Sequence, residues 1–428
     1  MNGILPVSVL EPAAEQTQRQ AAEIFSRKEK EAQPDVETIK AQLKEIREYS
    51  SANLPSLVNL FQESVSKYPE VKVAVAENAS QAVSYINEVA GDTRLISINK
   101  STVITNELRP GLESAGFKVY IRYFKEFKDF DKVIQDYWQL PGLSSQSLGQ
   151  SFEITTKIAQ LKAIEVRDYI AVVGVNAVSA EDGQVFFLQH FSNISEDLNE
   201  AKKVILVVAI DKIVKNWQDA AFQTKCNGIF GLESMTLDLE SRVVEQYDFE
   251  KLPPLPPGQK REVHVLILDN GRSALLSGAQ KDLLLCLGCR ACARQCPIGH
   301  YFVGGGEVWS PKSYLWSFLL GTNPSTETCI HCGRCYVECP VDIDLPTLMW
   351  RAQFEHYARH GRTPKKRLLD YPELLAKLGC LAGPIANWAI AKPVFRRLIE
   401  TMAGIHREAH MPTFHHESLR KWASKRKR

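Results

Sequence analysis

"CLGCRACARQCP" (residues 286–297) and "CIHCGRCYVECP" (residues 329–340) repeat one spacing, C-x2-C-x2-C-x3-C-P, and together hold eight of the chain's ten cysteines. Three thiolates spaced i, i+3, i+6 on a tight loop converge on one side of the turn and can grip three irons of a cubane. The fourth iron is reached from elsewhere, and in two-cluster ferredoxins the fourth cysteine of each run ligates the other cluster. That rule assigns Cys286, Cys289, Cys292 and Cys339 to one [4Fe-4S] cluster and Cys329, Cys332, Cys335 and Cys296 to a second. Pro297 and Pro340 then turn the chain away. Structural zinc is the competing reading, because paired C-x-x-C runs also make four-thiolate sites. Zinc gives no reason for a third evenly spaced cysteine and a trailing proline in both copies. Two cubanes that share ligands are neighbours, and neighbours make a one-electron relay.

The rest of the composition fits an intracellular relay. The chain has 428 residues, 24% charged and 44% hydrophobic, ordinary for a globular protein with room for two or more domains. A net charge of +2 and no nucleic-acid motif argue against a nucleic-acid partner. A disulfide framework would spread its pairs through a short secreted chain, whereas these cysteines crowd into two runs. The opening "MNGILPVSVLEPAAEQ" lacks the basic start of a signal peptide, so a reducing, cytoplasmic location is expected.

Working outward from the cysteines, the insert between the runs contains "SPKSYLWSFLLG", apolar at helical spacing through Tyr314, Leu315, Phe318 and Leu319. The cluster module is therefore expected to be mainly helical, over residues 276–350. The glycines 304–306 lack the Lys-Ser/Thr and preceding strand of a phosphate loop and read as a surface loop. Upstream, residues 1–69 read as charged and helix-rich, as in "VETIKAQLKEIREY" and "LVNLFQESVSKY". From residue 70 to about 275, apolar runs such as "VKVAVAE", "RLISI", "FKVYIRYF", "DYIAVVGV", "QVFFLQH", "KVILVVAI" and "VHVLILD" read as strands. Helical stretches such as "ASQAVSYINEVAG" and "SFEITTKIAQLKAIEVR" separate them, so an α/β layer with a largely parallel sheet is expected. The proline-rich "KLPPLPPGQKRE" is a stiff connector. Residues 351–428 read as a helical segment with a basic tail.

Nearly the whole chain resembles the lactate-utilisation iron-sulfur proteins of the LutB type. The resemblance rests on "IREYSSANLPSLVNLF" at Ile46, "INKSTVITNEL" at Ile98, "LESAGFKV" at Leu112, "VGVNAVSAEDGQV" at Val173, "AIDKIV" at Ala209, "VHVLILDNGRS" at Val263, both cysteine runs and the tail "MPTFHHESLRKWASKRK" at Met411. It implies an α/β LUD domain with the NagB/RpiA/CoA-transferase-like fold, followed by a two-[4Fe-4S] ferredoxin-like domain. It implies a role in a cytoplasmic multi-subunit system that oxidises L-lactate to pyruvate, with a cysteine-rich iron-sulfur protein and a second LUD protein as partners. By the same analogy Lys100, Ser101, Gly174, Asn176, Glu181, Gly183, Asp269, Asn270 and Arg272 are candidates for a LUD-domain site. Gly174 and Gly183 read equally well as strand ends and turns, and Asn270-Gly271 as a plain turn.

Oxidising a 2-hydroxy acid removes two electrons, usually through a base and a flavin or nicotinamide, while cubanes take one electron at a time. No G-x-G-x-x-G follows a strand and no flavin signature is present. The chain is therefore expected to be a non-autonomous, NAD-independent subunit of an oxidoreductase, either for lactate or, alternatively, for another dehydrogenase or quinone-linked enzyme with the LUD domain as a docking module. Cys226 and Cys380 are isolated and read as packing residues. His331 is expected to tune a cluster's surroundings, and His410, His415 and His416 to be tail residues. "LGCLAGPIANWAIA" at Leu378 is too short to span a bilayer. The basic end, Arg420, Lys421 and residues 425–428 around Trp422, is a candidate for peripheral contact with an anionic membrane or an acidic subunit.

Overall fold

The computed structural model describes residues 5–10, 36–121, 168–189, 193–231, 249–252, 258, 260–294, 296–301, 309–323, 325–363, 366–367, 370–415, 417 and 419–426. The helix read in "SFEITTKIAQLKAIEVR", the strand end "RYF" after Ile121, the glycines 304–306 and His416 lie outside those residues. Two compact units divide the chain, Met1–Ala352 and Gln353–Arg428.

In the first unit, β2 (Val71–Ala76), β3 (Leu95–Ile98), β4 (Lys118–Ile121), β5 (Ile170–Gly174), β8 (Lys203–Ala209) and β11 (Glu262–Leu268) form a six-stranded sheet in the order β2-β11-β8-β5-β3-β4. Every pairing in it is parallel. Alternation along β8 shows why the central strands are mostly apolar: Val204, Leu206 and Val208 pack in a core on one face, Ile205, Val207 and Ala209 in another on the opposite face. A parallel strand covered on both sides has no solvent face to mark with polar residues. Helix α1 (Val36–Ala52) and helix α2 (Leu54–Val65) precede β2. Phe61 and Val65 of α2 belong to the first core, and Ala82 and Ile86 of α3 (Ala79–Ala90) to the second.

The stretch expected to be helical also supplies a strand, β1 (Val7–Leu10). It joins a second, mixed sheet of β6 (Ala177–Ser179), β7 (Val185–Leu188), β9 (Ile213–Val214) and β10 (Glu250–Lys251), in the order β10-β1-β7-β6-β9. Four residues carry too little periodicity to mark a strand, and β1 exists through its parallel partner β7. One 3-10 turn, Ile210–Lys212, connects β8 of the large sheet to β9 of the small one, placing Asp211 and Lys212 at the corner between sheets.

The cysteine module packs into the same unit. Ile39 and Leu43 of α1, Cys226, Ile229 and Phe230 of α4 (Trp217–Phe230), Leu315 and Phe318 of α5 (Pro311–Leu319), and Leu348 and Met349 of α6 (Leu345–His360) share one core with Cys335, and five of the other motif cysteines pack against it. Ser310 caps α5 through a box with Ser313, and Pro311 opens its first turn. In the second unit Cys380 sits half-buried on the helix Pro372–Leu381. Its basic tail is partly neutralised within that unit: Lys425 pairs with Glu417 at 2.6 Å, Arg420 reaches Glu373 at 3.4 Å, and Arg426 stacks over Trp422. Among the described residues no helix is long and apolar enough to cross a membrane.

Candidate metal centre and strand-end crevice

The two cysteine runs fold into the same backbone shape. In each, the second and fourth residues after the first cysteine are left-handed: Gly288 and Arg290 in one, His331 and Gly333 in the other. A short helical turn follows in both, Ala291–Ala293 and Arg334–Val337. Each run therefore spends one glycine and one strained non-glycine residue to curl three cysteines around one point.

The fourth cysteines cross over. Cys289 and Cys292 lie in electrostatic reach of Cys286 and of Cys339 from the second run, while Cys335 lies in reach of Cys329, Cys332 and of Cys296 from the first. Burial pushes the Cys289 thiol up to about 12, and its cysteine neighbours add to the rise. Cys339 is pushed to about 11 and Cys335 to about 12 for the same reasons. Backbone N–H groups are aimed at the sulfurs: Ile343 N–H donates to Cys339 Sγ at 3.4 Å, Ala291 N–H to Cys289 and Lys312 N–H to Cys292. Crowded thiols that resist ionisation, with amide donors already pointed at sulfur, suit a cofactor that supplies positive charge to several thiolates at once.

A cavity of about 360 Å³ adjoins Cys286, Cys289, Cys292 and Cys339, bounded on its other sides by Asn78, Glu107, Asn270, Lys312 and Trp316. Among the described residues no three His, Cys, Asp or Glu side chains form a group for one metal ion; a cubane binds one thiolate per iron, so its ligands stand wider apart. The other four cysteines span the range from core to surface, with Cys335 buried and Cys296 and Cys329 half-buried. Cys332 is exposed, and Ile330, Tyr336, Val337 and Trp350 near it are exposed as well. His331 sets its ring edge-on to Trp350 at 5.4 Å.

A buried charge network ties the first run to the sheet. Arg47, 1% exposed, donates to the carbonyls of Leu284 (2.6 Å), Leu285 (3.0 Å) and Asp211 (2.6 Å) and to Gln223 Oε1, so it clamps the backbone that leads into Cys286. Lys212 Nζ bridges Asp211 Oδ2 (3.0 Å) and the Cys286 carbonyl (2.9 Å). Arg272 grips Glu107 with two nitrogens (3.0 and 2.6 Å) and Asp211 with its Nε (2.7 Å). Burial works against the Asp211 carboxylate, yet Lys212 and Arg272 hold it far below the carboxylate range. Arg47, Asp211, Lys212 and Glu107 were not among the candidate residues, although each falls inside a stretch that carries the family resemblance.

The structure separates the remaining candidates. Lys100, Ser101, Gly174 and Asn176 come together at the carboxyl ends of β3 and β5, beside a second cavity of about 100 Å³. An added Cβ on Gly174 would stand 2.3 Å from Ser101 Oγ, so only glycine lets the two strand ends meet this way. Asn270 donates to Glu107 at 2.7 Å from a left-handed turn with Gly271, and Asp269 accepts the Ser273 N–H at 2.7 Å. Glu181 lies elsewhere, exposed in the β6–β7 turn, where its carbonyl accepts from Ser64 Oγ, and Gly183 has a positive φ in that turn. Cys226 is buried in the cysteine-module core with its thiol pushed well up by burial.

With this geometry in view, a family described as "4Fe-4S binding domain" matches residues 283–305 and 326–342, one cysteine run in each segment. Proteins named Lactate utilization protein B match along most of the chain: 25% identical in Geobacillus kaustophilus, over 75% of this chain and 72% of that protein, and 24% in Bacillus cereus strain AH820, with the same coverage. These are its homologues. The 4Fe-4S segments fall in the mainly helical part, C-terminal to the parallel-sheet region. No solved structure matches the chain.

Proposed function

We propose that this chain is the iron-sulfur electron-transfer subunit of a cytoplasmic system that oxidises L-lactate, or a similar 2-hydroxy acid, to pyruvate. The observation that carries the reading is the pair of crossed cysteine sets, Cys286, Cys289, Cys292 with Cys339 and Cys329, Cys332, Cys335 with Cys296, in a homologue of Lactate utilization protein B. Two [4Fe-4S] clusters on these ligands supply one-electron steps between a two-electron donor and an acceptor. Residues 70–275 are assigned to a LUD domain, 276–350 to the cluster module, and 1–69 and 351–428 to flanking segments. A cysteine-rich iron-sulfur protein and a second LUD protein are the partners this role calls for.

The chain's own residues make the two centres unequal. The first is buried against the sheet ends, with the Arg47 and Lys212 cations beside the backbone of Cys286. The second sits next to exposed apolar side chains, suited to a transient redox partner. Lys212→Met should therefore make the first centre harder to reduce, lowering its potential by roughly tens of millivolts, while the second keeps its potential; redox titration followed by electron paramagnetic resonance reads both. The role itself is tested by adding L-lactate to the anaerobically purified protein with its native partners. Cluster reduction by lactate supports the reading. Clusters that stay oxidised with lactate and reduce with another donor overturn it in favour of a different dehydrogenase or quinone-linked enzyme.

A further inference from the structure

The strand order of the large sheet singles out one crevice. From β3 the chain moves to β4 on one side, and from β5 it moves to β8 on the other. The carboxyl ends of adjacent β3 and β5 are thus a topological switch point, the place where open α/β sheets bind ligands. The cavity of about 100 Å³ opens there. Asn99 stitches its floor, its Nδ2 donating to the Gly174 carbonyl (2.7 Å) and its Oδ1 accepting the Gly174 N–H (2.9 Å).

Its lining is one-sided in charge. Lys100, Lys212 and Arg290 supply cations, Asn176, Asn227 and Ser101 supply neutral hydrogen-bonding groups, and among the described residues no Asp or Glu lines it. Five aliphatic side chains, among them Val103, Val175 and Ile194, complete the wall. Leu287, Gly288 and Cys289 of the first cysteine run close it. Gly288 suits that closure through its φ of +86°, a left-handed conformation that side chains rarely adopt. The volume holds about seven water-sized spheres of ~15 Å³, the class of a carboxylic acid of three or four carbons and far short of a nucleotide. An inorganic anion would satisfy the cations but leave the aliphatic wall bare.

We infer that this crevice binds a small carboxylate of 2-hydroxy- or 2-oxo-acid size, held by Lys100 and Arg290 against the loop that carries Cys289. The inference deepens the lactate reading above and rests on it for the identity of the acid. Lys100 and Asn176 orient the ligand, and the cysteine loop brings it beside the first centre. Lys212 bonds Asp211 and the Cys286 carbonyl and adds positive potential, and Arg290 Nη2 also reaches the Trp309 carbonyl at 3.4 Å.

The test is calorimetric titration of the anaerobically purified, iron-loaded full chain with four probes: L-lactate, pyruvate, neutral lactamide and inorganic phosphate. L-lactate or pyruvate should bind at least about tenfold more tightly than lactamide, the loss expected when a charge-assisted hydrogen bond is removed. Lys100→Met and Asn176→Asp should each weaken that binding by a similar factor with iron content unchanged; the aspartate keeps the oxygen that accepts the Leu188 N–H but adds a negative charge. Equal binding of lactamide, tighter binding of phosphate, or both variants binding like the wild type would overturn the site, and the probe comparison on the wild type stands even where a variant fails to fold. The two readings separate cleanly. Carboxylate binding without cluster reduction by lactate keeps the crevice and removes lactate oxidation. Reduction by lactate with no carboxylate binding, and an unchanged KM in Lys100→Met, removes the crevice and keeps the relay.

Discussion

Replacing Cys339 with alanine should remove the cluster of the first cysteine run, not that of the run in which it sits. Cys339 shares its surroundings with Cys286, Cys289 and Cys292, so its loss strips one cubane of its fourth thiolate and leaves the other complete. Iron and acid-labile sulfide should fall from about eight to about four per chain. The signal that survives in electron paramagnetic resonance should match that of Cys286→Ala and differ from that of Cys329→Ala. Cys296→Ala should mirror it, matching Cys332→Ala. The two losses should also differ in stability: Cys339 packs against the core that α1, α4, α5 and α6 share, whereas Cys296 takes no part in it. Because metal binding is part of the folding free energy where ligands come from distant segments, Cys339→Ala should lower Tm more than Cys296→Ala. A Cys339→Ala spectrum that matches Cys329→Ala would mean that each run feeds its own cluster, and the crossed assignment would be wrong.

The strands, the cysteine repeat and the helix of the insert were legible because each writes a period into the sequence. Apolar runs mark β5, β8 and β11, and alternating packing on two cores explains why polar residues are confined to the first residues of β8 and β11. β1 was not legible: it is short, and its hydrogen bonds come from a partner about 180 residues away in sequence. The network of Arg47, Glu107, Asp211, Lys212 and Arg272 was legible only as similarity. A buried charge has no periodic signature, since its partner is set by tertiary folding, so Arg47 on α1 looks like any polar residue of a charged helix. Its burial and its grip on the Leu284 and Leu285 carbonyls appear only when α1 meets the cysteine module. Among the strand-end candidates, those following β3 and β5 meet because the sheet order makes those strands neighbours, which their separation in sequence does not reveal. Arg272 met a different fate, and its role decides the second large prediction.

Arg272→Met should destabilise the protein by about 3–5 kcal/mol, the cost of breaking a buried ion pair by removing one partner. The guanidinium is 2% exposed, forks onto Glu107 and holds Asp211, and stacks 5.0 Å over the Trp316 ring. Asp211 would keep Lys212, but among the described residues Glu107 would retain only the Asn270 amide as a hydrogen-bond partner. Lysine cannot reproduce the fork, so Arg272→Lys should recover part of the loss and no more. The pH dependence follows from the same geometry. Burial works against the Glu107 carboxylate, and Arg272 and Asn270 outweigh it to hold the pKa below the usual range, so in the wild type this group stabilises above the ordinary carboxylate pKa and the contribution fades as pH falls. Without Arg272 burial prevails, the Glu107 pKa rises, and the folded variant takes up a proton that the unfolded chain does not bind at neutral pH. The deficit relative to the wild type should therefore be largest near pH 8 and shrink toward pH 5, as thermal melts across that range would show. A substrate-binding Arg272 would behave differently: its loss would raise KM and leave Tm and its pH dependence where they were. Because the side chain is enclosed by two carboxylates and an indole, the structure favours the first outcome, and Arg272 holds the floor beneath the first cysteine run instead of touching what binds there.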